Sequence, residues 1–210
     1  RKNILPIAGF PLLVHGIRVA QQIEAISAIY VSTDCDEIAT VAERAGAQII
    51  PRPPELASDD SPEWLSWQHA INHVIAHYGS FDVFLSLPAT APLRNTEDVL
   101  KCMDALREDV DFVVTVSSAN RSPWFNMVTK DDAGFVELVV NDASIHRRQD
   151  APKCFDMTTV AYVAKTSFIL RANSFWDGNV VGIEIPAERA LDIDTPLDFD
   201  IAAFLMENRI

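Results

Sequence analysis

An α/β domain built on a mostly parallel sheet, with helices on both faces, is what this sequence predicts, and two observations carry the expectation. Short apolar, β-branched runs such as "AIYVSTD", "DVFLSL" and "DFVVTVSS" alternate with segments of helical period, the pattern of strands buried between helices. The 210 residues, 49% of them hydrophobic, are enough for one globular domain that buries about two-thirds of its unfolded surface. Residues 1–210 are therefore read as a single domain.

The elements follow in order. From Pro11, "PLLVHGIRVAQQI" spaces its apolar residues as a helix, and "AIYVSTD" from Ala28 reads as a buried strand with a polar end. "DEIATVAERAG" is a helix whose first-turn acids suit the positive end of its dipole and whose stop is Gly46. After the short strand "QIIPRP", the helix "SPEWLSWQHAINHVIAHYG" has Ser61 as N-cap, Pro62 at the first helical position and Gly79 just past its end. "DVFLSL" and "NTEDVLKCMDALRE" form the next strand and helix, followed by the strand "DFVVTVSS". From about Trp124 the order changes. "NMVTKDDAGFVELVV" reads as two strands around a turn at 132–134, so the second half is a mixed sheet with an excursion over residues 124–160. "TTVAYVAK" and "NVVGIEIP" are further strands, and "PLDFDIAAFLMEN" closes as a helix capped by Thr195 with Pro196 at its first position.

A net charge of −13 argues against a surface for nucleic acid or an anionic membrane, so an anionic ligand must be met by a few local bases or by a metal. The three cysteines, Cys35, Cys102 and Cys154, lie far apart and outside any zinc spacing, as expected of reduced thiols in a cytoplasmic protein. No apolar run approaches the roughly 18 residues of a membrane span, and no signal peptide is visible. The first residue, Arg1, falls inside what reads as a motif and is not Met, so a preceding segment is expected.

Ligands of open α/β sheets bind beyond the carboxyl ends of the strands. That directs attention to residues 32–34, Arg52, residues 88–94, and the pair Asp192 and Asp194. "RPPELASDDSP", residues 52–62, joins a strand end to a helix start, where backbone N–H groups favour anions; an ordinary capped loop is the competing reading. "LPATAPLRN" sets Arg94 beside the cap Asn95, or is simply a turn held by two prolines. "HRRQDAP" offers guanidinium forks suited to phosphate or carboxylate, against a solvated basic loop. His69, His73 and His77 recur one helical turn apart and read either as metal ligands or, with no companion acid, as a partly exposed helix face. In "LDIDTPLDF" two acids flank Ile193. In an extended segment they would share a face roughly 7 Å apart, and paired carboxylates suit Mg²⁺, whose shell is completed by water and phosphates.

The succession "RKNI.P..G.PL", "VSTD.DEIA..AE..GA", "RP.ELASD", "P.T.PLR", "RRQD.P" and "DIDT.LDF" resembles the CMP-N-acylneuraminate synthetase (acylneuraminate cytidylyltransferase) family over essentially the whole chain. The resemblance implies a Rossmann-like fold of the nucleotide-diphospho-sugar transferase type, usually a homodimer, with the 124–160 excursion serving dimerisation. It implies Mg²⁺-dependent transfer of a cytidylyl group from CTP to the anomeric hydroxyl of a sialic-acid-like 2-keto sugar acid, with release of pyrophosphate. By matching motif, Lys2 and Asn3 lie by the nucleotide, Lys2 with a catalytic role. Arg52, Ser58 and Ser61 hold cytosine and ribose, Arg94 lines the substrate site, and Arg147, Arg148 and Gln149 approach the sugar acid or the partner subunit. Asp192 and Asp194 are the catalytic metal ligands.

The departures from the family pattern concern the sugar. Pro88 stands for a usual Gln, Ala91 for Ser, and Thr158-Thr159-Val160 for Asn-Gly-Ala, so legionaminate, pseudaminate or an octulosonate are alternatives to sialic acid. Glu63 stands where a small or hydroxylated residue is common. The family's first strand and its phosphate loop of the "ARGGSKG" kind are absent from these residues. A glycosyltransferase would carry its acid pair mid-chain, whereas 16 residues follow Asp194 here. A sugar-1-phosphate nucleotidyltransferase and a non-catalytic nucleotide or sugar-acid sensor complete the rivals.

Overall fold

The computed structural model describes residues 2–58, 61–142, 144–145 and 147–208. A 3₁₀ turn at Lys2–Ile4 leads into a minimal hairpin, β1 (Pro6–Ile7) and β2 (Phe10–Pro11), and then α1 (Leu12–Gln21). Strand β3 (Tyr30–Thr33), helix α2 (Asp36–Arg44) and strand β4 (Gln48–Pro51) form one βαβ unit in which the strands pair in parallel. Gly46 follows α2 with φ of 91°, a left-handed conformation that costs a residue without Cβ little, and its N–H bonds the Glu43 carbonyl at 2.9 Å.

Helix α3 (Glu63–Tyr78) ends at Gly79, φ 100°, as the sequence predicts. Its start is one residue later than expected. Pro62 occupies the N-cap, and its side chain has no acceptor to offer the first turn, while the Ser61 N–H closes a turn onto the Ser58 carbonyl at 3.0 Å. After β5 (Val83–Ser86), α4 (Thr96–Ala105) opens on a capping box between Asn95 and Asp98. Strand β6 (Phe112–Ser118) precedes the expected hairpin, β7 (Val128–Lys130) and β8 (Val136–Leu138). Then come β9 (Phe155–Lys165), α5 (Thr166–Arg171), β10 (Val180–Glu184) and α6 (Pro196–Glu207), the last capped by Thr195 in a box with Asp198. Helix α5 has no counterpart among the sequence expectations.

The main sheet has the order β10-β6-β9-β5. Strand β10 runs parallel to β6, and β9 lies antiparallel to both β6 and β5, so the sheet is mixed and β5, β6 and β10 share one direction. The period of two decides what each face buries. Phe112 and Val114 of β6, with Tyr162 and Ala164 of β9, pack under Trp64, Trp67 and Ile71 of α3 and Phe168 of α5. Val113, Ala161 and Val163, one residue out of phase, pack with Cys102 of α4 on the opposite face. Helices thus cover both faces, and the carboxyl ends of β5, β6 and β10 open on one side of the sheet, toward residues 87–94, 118–122 and 185–194.

Candidate active site

Ile193 organises the acid pair. It is 1% exposed and packs with Ile7, Leu12 and Leu93, while its N–H donates to the Thr90 carbonyl at 2.8 Å. The segment is irregular and joins no sheet ladder, so the expected strand is replaced by this one anchor; the turn at 186–190 and the Thr195 cap leave no length for more. Burying Ile193 leaves Asp194 open to solvent and Asp192 half-buried. Lys2 reaches across from the other end of the chain and donates to the Ile193 carbonyl and, at 3.5 Å, to Asp194 Oδ1. Lys2 and Asp194 are 37% and 74% exposed, so the ion pair itself adds little stability and both groups stay open to a ligand.

Asp192 is half-buried, and its Oδ1 is shielded from solvent with no hydrogen-bond partner among the described residues. An orphaned buried carboxylate oxygen is rare in a native fold and calls for a cation or a donor beyond the described residues. No group of three or more His, Cys, Asp and Glu is assembled to hold a metal among the described residues, so Asp192 and Asp194 form a two-acid set.

Beneath the acids lies Arg94, 2% exposed. Its Nε donates to the Val160 carbonyl at 2.6 Å, and Nη2 to the carbonyls of Pro88 and, at 3.3 Å, Thr159. Burial pushes its pKa down to about 9, opposed by the charges of Asp192 and Asp98. Arg94, expected at the substrate, thus stitches the 88–94 loop to β9 from below, with Nη1 left without a partner among the described residues. A second buried guanidinium contact steadies the approach to Asp192. Arg189 donates Nε and Nη2 to the two oxygens of fully buried Asp98 at 2.8 and 2.9 Å, tying residues 186–190 to α4.

On the other side, Arg52 leaves β4 and donates to Ser32 Oγ at 3.2 Å and to the Ser32 carbonyl at 2.9 Å, holding the ends of β3 and β4 together. Glu63, on the rim at the start of α3, faces this arginine and Asp192. Burial among these neighbours raises its pKa, with the Asp192 charge adding to the effect, while a hydrogen bond from Trp67 and the Arg52 charge oppose it. Tyr162 is pushed up to about 12, by burial first and then by Glu63 and Asp192. Lys2, Arg52, Glu63, Arg94, Tyr162, Asp192 and Asp194 therefore form one polar neighbourhood at the strand ends.

Asn3 is half-buried in the first turn and Ser58 exposed. Arg147 closes its fork on Asp150 at 2.9 and 3.0 Å within its own loop, and the side chain of Arg148 lies outside the described residues. Gln149 lines an open hollow of about 440 Å³ beyond β6, with Ser118, Arg121, Lys153 and Cys154. Glu63, Asp98 and Arg189 were missed as site residues by sequence reasoning. Asp98 also closes the capping box with Asn95, a local role that accounts for an acid at that position without any pairing to Arg189.

Residues 1–174 match the family model described as Cytidylyltransferase. The chain is 32% identical over 208 residues to CMP-N,N'-diacetyllegionaminic acid synthase of Campylobacter jejuni, covering 98% of this chain and 88% of that protein. It is 29% identical over 211 residues to post-translational flagellin modification protein B of Campylobacter coli, covering 99% and 89%. Among solved structures, CMP:2-keto-3-deoxy-manno-octonic acid synthetase complexed with CTP superposes with a TM-score of 0.70 at 15% identity, over 100% of this chain and 92% of that one, which supports the fold. With the family match spanning most of its length, the chain belongs to the cytidylyltransferase family and is a nucleotidyltransferase.

Proposed function

We propose that this cytoplasmic enzyme transfers a cytidylyl group from CTP to the anomeric hydroxyl of a sialic-acid-like 2-keto sugar acid and releases pyrophosphate. The observation that carries the reading is the buried, unpartnered Oδ1 of Asp192 beside the solvent-open Asp194 and Lys2. This hard, two-carboxylate donor set fits Mg²⁺, which is satisfied by one or two protein carboxylates plus water and phosphates. When bound there, Mg²⁺ would neutralise charge on the triphosphate and on the departing pyrophosphate.

The chain's own residues do the rest. The sugar hydroxyl oxygen forms a bond to the α-phosphorus as the bond to the pyrophosphate oxygen breaks, and the hydroxyl proton leaves toward the acid pair. Lys2 Nζ, held by the Ile193 carbonyl, places positive charge where phosphoryl oxygens gain negative charge. Arg94 keeps the 88–94 loop and residues 159–160 in register, which fixes the wall against which the sugar lies. Arg52, Ser58 and Ser61 hold cytosine and ribose, with Asn3 beside the nucleotide, and Arg147, Arg148 and Gln149 approach the sugar acid or a partner subunit. Legionaminate-type acids are favoured by the 32% identity to a diacetyllegionaminic acid synthase.

The working form is a homodimer. The hairpin β7–β8 and its flanks leave Phe125, Val128, Phe135 and Val136 exposed, an apolar surface that a second copy would cover. The test is pyrophosphate release by the full chain from CTP and MgCl₂, with N-acetylneuraminate, legionaminate, pseudaminate and an octulosonate offered separately. Release with one of the nine-carbon acids is expected. Release only with the octulosonate would move the substrate to that class, and release with none would overturn the proposal.

A further inference from the structure

We propose, on the cytidylyl-transfer reading of the site, that Thr159 is a specificity-determining residue for the sugar acid, its hydroxyl held at the substrate by a bulge in β9 that Thr115 and Arg94 clamp. The register shows the bulge. Strands β6 and β9 pair Val113 with Val163 and next Thr115 with Thr158. Between these pairs β6 has one residue, Val114, whereas β9 has the four residues from Thr159 to Tyr162, so β9 bends out of the ladder. Ser86, the last residue of β5, pairs with Tyr162, which sets the bulge where β5 ends and the 87–94 segment begins.

Side chains satisfy the backbone groups that the ladder gives up. Thr115, 0% exposed, donates its hydroxyl to the Thr158 carbonyl at 3.0 Å and accepts from the Thr158 hydroxyl at 2.8 Å and the Ala161 N–H at 3.4 Å. Arg94 takes the next two carbonyls, those of Thr159 and Val160. The same guanidinium holds the Pro88 carbonyl, and two residues further on Thr90 accepts the Ile193 N–H between the two acids. One loop and a few hydrogen bonds thus fix Thr159 relative to the acid pair.

The other side chains of the bulge are already committed. Val160 packs with Ala91 and Ile185, Ala161 lies in the cluster under α4, and Tyr162 packs against Trp67. Thr159 keeps an unused function: its Oγ1 is shielded from solvent and has no hydrogen-bond partner among the described residues. A buried hydroxyl without a partner costs free energy that a hydrogen-bonding ligand recovers. The residue as a whole is half-buried, so a ligand lying on this wall reaches it. A hydroxyl both donates and accepts, which suits the hydroxyl and acylamino groups of a sugar acid. Thr159 also stands where the family pattern has Gly, so the contact is an addition on which selectivity among these acids can turn.

The experiment is calorimetric titration of the full chain with each of the four sugar acids, in MgCl₂ and a saturating CTP analogue whose α,β-bridging oxygen is a methylene group. Melts, and pyrophosphate release from CTP itself, are measured in parallel. Thr159→Val, which keeps the branched shape and removes the hydroxyl, should weaken binding of the preferred acid about tenfold and leave the Kd of the analogue unchanged. Its Tm should not fall, because no internal hydrogen bond is lost, whereas Thr115→Val should lower Tm. Thr159→Ser should bind the acid within about threefold of the wild type. Unchanged binding by Thr159→Val, an equal loss for the analogue, or a Tm loss matching that of Thr115→Val would overturn the assignment. A wild type that binds an acid yet releases no pyrophosphate would overturn cytidylyl transfer while the weakening in Thr159→Val still supports the contact; a wild type that binds none of the acids would overturn both.

Discussion

The contact between Asp98 and Arg189 offers the sharpest energetic prediction. Asp98 is fully buried; it accepts both forks of Arg189 at 2.8 and 2.9 Å and also the Asn95 N–H at 3.2 Å. Truncation to alanine leaves a guanidinium without its partner, for which buried pairs show losses of about 3–5 kcal/mol. Arg189 keeps 22% exposure and can recover some hydration, which places the loss near the lower end, about 3 kcal/mol. Half of a capping box is lost as well, adding about 1 kcal/mol. At about 2–4 °C per kcal/mol for a domain of this size, Asp98→Ala should lower Tm by roughly 8–16 °C. The control is Glu97→Ala, one residue away. Its pair with Lys101 at 2.7 Å is solvent-exposed on both sides, so its loss should leave Tm nearly unchanged. Calorimetric melts of Asp98→Ala, Arg189→Ala and the double variant close the cycle, and a coupling of about 2 kcal/mol is expected. Equal melts for Asp98→Ala and Glu97→Ala, or purely additive single variants, would refute the reasoning.

Other perturbations read different parts of the molecule. Asp192→Asn and Asp194→Asn should each reduce pyrophosphate release by roughly 10²-fold or more with little change in Tm; near-normal Mg²⁺-dependent turnover in both would sink their proposed role. Because the folded-state pKa of Glu63 is raised, wild-type stability falls as pH rises through that value. Glu63→Gln should therefore gain Tm over the wild type at pH 7–8, and the gain should vanish below the ordinary glutamate value of 4.5; a difference independent of pH would contradict the burial argument. At Gly178 an added Cβ would lie 2.5 Å from the Phe168 ring and 2.9 Å from Asp111 Cβ. Phe168 is 1% exposed and has no room to yield, so Gly178→Ala should cost about 1–3 kcal/mol, and an unchanged melt would show unexpected slack there.

The punctuation of this fold was plain in the sequence, because caps and stops act locally. Gly46, Gly79, Asn95 and Thr195 end or begin helices where their chemistry demands. Strand direction was not plain. "TTVAYVAK" is a buried run whichever way it points, and only the three-dimensional sheet shows β9 inserted antiparallel between β5 and β6. Helix α5, six residues long, offers too few periods to be recognised. At the site, Asp192 and Asp194 stood out because acids flanking an apolar residue have no local explanation. Arg94 stood out too, but one residue type serves equally as ligand contact and as buried brace, and only its 2% exposure distinguishes them. Asp98 and Arg189 are 91 positions apart, beyond the reach of any spacing argument.

The bond from Lys2 to the Ile193 carbonyl joins positions 191 residues apart. During synthesis Lys2 emerges long before its acceptor, so this corner of the molecule cannot assemble until residue 193 has been made. Local opening of either segment breaks the same contact, which ties the order of the first turn to that of the segment leading into α6.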